Sequence, residues 1–133
     1  MLLIYLLEGN AKFRARADAL LARSRVRHDS LFTTCLAVGE VMAGVARFNN
    51  PIKASAVRET LEEIGFRFLP FDEGALRPFS ELRGRQKLAI ADSIHLACAA
   101  SAGIDLFLTG DKQLAKLDVP GIQFIADFNT PIL

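Results

Sequence analysis

Three carboxylates stand out by where they fall along the chain: Glu40, Asp92 and Asp111. Glu40 comes after the run "LFTTCLA" (Leu31–Ala37), within the first turn of an apolar helix. Asp111 directly follows "LFLTG", and Asp92 sits early in "KLAIADSIHLACAASAG" (Lys87–Gly103), the most apolar helical stretch. Each has a plain structural reading. Asp111 can cap a short helix over Lys112–Leu117, and Asp92 can cap a helix starting at Ser93 with His95 facing back. Glu40 can complement a helix N-terminus. Read together, the three point further. Acids are rarely buried without partners, yet Glu40 and Asp92 lie in apolar helices that must pack on a sheet. If such helices start at one sheet edge, their carboxylates converge, and converging carboxylates repel unless a proton or a cation intervenes. Hard oxygen ligands suit Mg²⁺, or Mn²⁺ in its place. Such an ion activates water and stabilises charge on a phosphate, which is the chemistry of metal-assisted phosphodiester hydrolysis.

Other polar residues are weighed the same way. Thr109, two residues before Asp111, has a hydroxyl that can hold a metal-bound water or orient the carboxylate, or serve structure alone. His95, among Ile94, Leu96 and Ala97, reads as a satisfied buried histidine rather than a general base. Ser93 and Cys35 lack a base-and-orienter set for nucleophilic catalysis. Asp72 follows a strand that looks like an edge and reads as a helix cap. Six Lys or Arg stand against Asp18 in Lys12–Arg27, and Arg77, Arg83, Arg85 and Lys87 form a second basic group. Solvated helix faces are the default reading of both, and a phosphate-contacting flank is the functional one.

The elements that must position these residues alternate. Asn10 can cap a helix reaching about Arg25, with Phe13, Ala17, Leu20 and Leu21 on one face. "LFTTCLA" reads as a buried strand. Val38, Val41, Met42 and Val45 recur at helical spacing. Pro51 opens the next helix, Ala54, Val57, Leu61 and Ile64 form its stripe, and Gly65 ends it. "FRFLPF" (Phe66–Phe71) alternates as a strand ending near Pro70. A helix follows from about Glu73 to Arg83, and Lys87–Gly103 is another, with Gly103 as its cap. "DLFLT" is a strand, "DKQLAKL" a short helix and "IQFIADF" a last strand. This order gives an α/β fold with a mainly parallel sheet, whose ligands sit beyond the carboxyl ends of the strands.

The 133 residues fit one domain, 1–133, long enough to bury a core. The apolar fraction of 51%, the charged fraction of 23% and the net charge of +1 are those of an ordinary soluble chain. That charge does not by itself point to nucleic acid or membrane. No apolar run reaches the roughly 18 residues of a membrane span. Cys35 and Cys98 read as reduced core residues of a cytoplasmic protein. The opening "MLLIYLLEGN" has no basic lead and no small-residue cleavage site, so it is a poor signal peptide.

Taken in order, "LIYLLEGN", "TTCLAVGEVMAG", "IADSIHLACAASAG" and "LFLTGDKQLAKL" resemble the successive blocks of PIN-domain ribonucleases. The nearest likeness is to VapC-like toxins of type II toxin–antitoxin pairs, and it runs from about Leu3 to Phe128. The third and fourth blocks, Asp-x-x-His-Leu-Ala and Thr-x-Asp-x-x-Leu, are the most specific. The resemblance implies a PIN-like fold, a parallel sheet flanked by helices in three α/β/α layers. It implies Mg²⁺-dependent endonucleolytic cleavage of RNA, with Glu40, Asp92 and Asp111 as the catalytic and metal-binding acids and Thr109 as an accessory. A homodimer and a small cognate antitoxin that blocks the site are implied as partners.

The chain departs from the family pattern at its start. The family's first strand ends in an aspartate that would fall about two residues before Met1, so the first strand is expected to be truncated. "MLLIYLLEGN" then reads as the first helix, and Glu8, at its far end, does not replace the aspartate. This 133-residue form is expected to be weak or inactive as a nuclease even if it folds. The alternatives are a shortened, non-catalytic relative that binds an antitoxin or RNA, and a receiver-like phosphoacceptor. The last ranks lowest, because "IQFIADFNTPIL" has no lysine.

Overall fold

The computed structural model describes residues 11–47 and 51–127. The expected first helix in "MLLIYLLEGN" and the Asn10 cap lie outside the described residues. The chain forms two compact units. Among the described residues the first takes in 11–33, 37–47 and 51–68, and the second 34–36 and 69–127.

The first unit is built from α1 (Ala11–Val26), β1 (Leu31–Thr34), α2 (Cys35–Ala46), α3 (Pro51–Ile64) and β2 (Phe66–Leu69), with β1 paired to β2. Pro51 opens α3, where its fixed φ suits the first helical turn and its missing N–H is no loss. The stripe Ala54, Val57 and Leu61 is buried, as the spacing predicts. Gly65 stops α3 at φ +112°, donating its N–H to the carbonyls of Leu61 (3.2 Å) and Glu62 (3.1 Å). A side chain at that φ would be strained, so the chain turns there into β2. The core gathers Leu21, Ala37, Val38, Val57, Leu61 and Phe66, with Val41, Met42, Val45 and Ile64 packed against it.

One boundary differs from the sequence expectation. The strand read over Leu31–Ala37 ends at Thr34, and α2 begins at Cys35. The β-branched residues stop at Thr34, and Ala37 and Val38 bury on a helical period. Glu40 therefore lies in the second turn of α2, not the first, and is exposed. Cys35 is exposed at the start of α2, so only Cys98 meets the expectation of a buried thiol.

The second unit runs α4 (Glu73–Ser80), a π-helical turn (Glu81–Arg85), α5 (Ile90–Ala102), β3 (Leu106–Thr109), a 3₁₀ turn (Leu114–Lys116) and β4 (Phe124–Asp127). Asp72 caps α4 as expected, its Oδ1 accepting from the Gly74 N–H at 3.1 Å. The helix read to Arg83 is α-helical only to Ser80. It widens into the π turn, where the Gln86 N–H reaches the Glu81 carbonyl at 3.2 Å. "DKQLAKL" forms a single 3₁₀ turn rather than a helix. Gly103, at φ +68°, closes α5, with the Ile104 N–H bonded to the Ala99 carbonyl at 3.1 Å.

β3 and β4 pair in parallel, from Leu106 opposite Phe124 to Thr109 opposite Asp127. Ala75, Leu82, Leu96, Ala97, Ala99, Phe107, Leu114, Val119 and Ile122 form the core of this unit. The α/β class is thus observed, with short parallel strands set between helices.

Candidate functional site

Thr109 ends β3 with its side chain buried. Its hydroxyl oxygen accepts a hydrogen bond from the Asp111 backbone N–H at 3.1 Å. Asp111 makes the next turn itself: its Oδ1 accepts from the Gln113 N–H at 2.8 Å, and its carbonyl accepts from the Ala115 N–H at 3.2 Å. The two linked turns fix an exposed carboxylate immediately beyond the carboxyl end of a parallel strand, where ligands of α/β sheets bind. One oxygen is committed to the turn, and a carboxylate offers further lone pairs to a cation or donor.

Asp92 is half-buried in the first turn of α5. It is not the helix cap that the sequence suggested. Helix α5 begins at Ile90 with Ala89 as its cap residue, and Ala89 offers no side-chain bond. The carboxylate of Asp92 therefore remains available while sitting at the positive end of the helix. Ser93, fully buried, donates its hydroxyl to the Ala89 carbonyl at 2.8 Å, which accounts for it structurally. His95 is 8% exposed, and its Nδ1 lies 2.7 Å from the Thr34 hydroxyl. It is a satisfied buried histidine, as expected.

The structure joins Thr109 to Asp111 directly. Those two residues and Asp92 belong to the second unit, and Glu40 belongs to the first. Among the described residues, no three His, Cys, Asp or Glu side chains are gathered as a metal-binding group. One acid escaped the sequence reading. Asp127 is half-buried at the end of β4, in register with Thr109. The signal was available, since Asp127 ends the last strand much as Asp111 follows β3.

The model of the PIN domain family matches residues 2–120. The chain belongs to the PIN-domain family. No curated protein gives a match to it. PIN domains are generally nucleases that bind RNA, and they commonly use divalent metal ions. The donors of this PIN domain fit such an ion in kind. Asp92 and Asp111 offer hard carboxylate oxygens, and Mg²⁺ usually takes one or two protein carboxylates and completes its shell with water and phosphate. The turn behind Asp111 holds its carboxylate in place, the kind of outer support that a metal-binding carboxylate needs. No helix among the described residues of the PIN domain is long and apolar enough to cross a membrane.

Proposed function

We propose that this chain is a single PIN domain acting as a Mg²⁺-dependent endoribonuclease, and that it is the toxin of a VapBC-type pair. The observation that carries the reading is the Thr109–Asp111–Gln113 turn, which presents a supported carboxylate at the carboxyl end of β3. Asp92 and Asp111 would hold the ion, and the family's sequence blocks add Glu40 as the third acid. Mg²⁺, or Mn²⁺ in its place, would supply a Lewis acid and an activated water at the scissile phosphodiester. Thr109 keeps the backbone of Asp111 in position. The cytoplasm, where RNA is plentiful and thiols stay reduced, suits this activity. A small antitoxin that covers the acids and a homodimer complete the proposal, and both rest on the likeness to VapC-like toxins.

The test is cleavage of a fluorophore–quencher RNA. Cleavage by this form is expected to be weak, to require Mg²⁺ and to stop with EDTA. Asp92→Asn and Asp111→Asn should each lower the rate on the order of 10²-fold or more, at unchanged circular dichroism. Thr109→Val, which loses only the support, should lower it by about 10- to 100-fold. Cleavage that persists in EDTA, or that survives both Asp→Asn changes, would sink the reading.

A further inference from the structure

Between α4 and α5 the chain carries three cations, Arg83, Arg85 and Lys87, against one acid, Glu81. The structure separates their tasks. Arg83 is committed to the fold: its Nη1 donates to the Leu88 carbonyl at 2.8 Å. The Leu88 N–H in turn bonds the Leu82 carbonyl at 3.2 Å, and Leu82 is buried in the core of the second unit. Leu88 packs against that same core. Both polar groups of the Leu88 backbone are thus hydrogen-bonded, and Lys87 stands exposed beside it.

Lys87 holds φ at +56°. Glycine adopts that left-handed conformation freely, whereas a side chain pays a steric penalty there. The sequence therefore places a long cation where glycine would be easier to accommodate. Arg85 is the second exposed cation. It meets Glu81 at 3.2 Å, with the two side chains 80% and 54% exposed. An ion pair so open to water is weak, so a phosphate can take the place of Glu81 at little cost. A guanidinium also matches a phosphate in a two-pronged geometry that a lysine lacks.

We infer that Arg85 and Lys87, displayed on this hydrogen-bonded connector, bind phosphates of the RNA strand flanking the one cut. The connector leads straight into α5, whose first turn carries Asp92. Cations five and seven residues ahead of Asp92 are placed to take phosphates next to the one that reaches it. The identity of the polymer rests on the ribonuclease reading. The basic residues closing α1 are unlike these: Arg23 and Arg25 complement a helix C-terminus, and Arg27 pairs with Asp29 at 3.0 Å.

The experiment measures anisotropy of a fluorescein-labelled single-stranded RNA of mixed sequence, in EDTA, across a KCl series. Arg85→Gln and Lys87→Gln should each weaken binding and lower the slope of log affinity against log salt by about 0.7. Lys87→Arg should restore both. Lys87→Gly should weaken binding while leaving Tm equal or higher, an outcome that a purely structural role for Lys87 does not give. Arg27→Gln should match the wild type. Unchanged affinity and slope in Arg85→Gln and Lys87→Gln overturn the inference. So does a loss confined to poly-glutamate as probe, which would assign the cations to an acidic protein partner. Binding that behaves as expected in a chain that cleaves nothing overturns only the nuclease reading.

Discussion

Cys98 lies on α5 one turn beyond His95 and is 2% exposed, whereas Cys35 is exposed. Burial, with the nearby Cys35 thiol and Asp72 carboxylate adding to it, pushes the Cys98 thiol up from 9.0 to about 11. A thiol held neutral and out of solvent neither attacks nor is attacked. At pH 8 iodoacetamide should therefore label Cys35 alone, with Cys98 labelled only after denaturation; rapid labelling of Cys98 in the native chain would contradict this. The same displacement links the thiol to stability. The native state favours the neutral form, so its contribution is complete below pH 9 and is lost as pH rises from 9 to 11. Roughly 2–3 kcal/mol is at stake. Urea unfolding at pH 8 and pH 10.5 should show the loss in the wild type and a smaller one in Cys98→Ala.

At the level of elements, the apolar spacing made α3 legible, and Gly65 and Gly103 marked the ends of α3 and α5. The end of β1 was not legible, because "TTCLA" contains no charged residue to separate a two-residue period from a helical one. The π turn was hidden as well. It is closed by the Gln86 N–H on the Glu81 carbonyl, a five-residue spacing that no local pattern announces. Of the site, Asp111 could be read because it follows a strand directly, while the supporting bond from Thr109 became definite only with the turn. Gly121 is another position that tertiary packing decides. Its φ is +98°, and a Cβ there would lie 2.6 Å from the Ala100 carbonyl oxygen on α5. That oxygen belongs to helix backbone and cannot swing aside. Gly121→Ala should destabilise by about 1–3 kcal/mol, read as a lower urea midpoint at an unchanged slope. Gly44→Ala, in α2 with nothing within 4 Å of the added carbon, should instead stabilise by about 0.5–1 kcal/mol. Equal effects at the two positions would remove the packing argument.

At the scale of the whole molecule, the question is whether Glu40 shares the ion with Asp92 and Asp111. Glu40 is exposed in the second turn of α2, and its proposed role comes from the family's blocks. Metal binding offers a readout independent of cleavage, because an ion that binds only the folded chain stabilises it by mass action. At an ion concentration near 100 times Kd the gain is about 2.7 kcal/mol, enough to move Tm by several degrees. The wild type should gain Tm with Mg²⁺ or Mn²⁺, and K⁺ at equal ionic strength should not reproduce the gain. Asp92→Asn and Asp111→Asn should lose most of the shift. Glu40→Gln decides the third position. Loss of the shift would make Glu40 a donor. Retention of the full shift would confine the metal to the second unit and leave Glu40 a surface residue of α2.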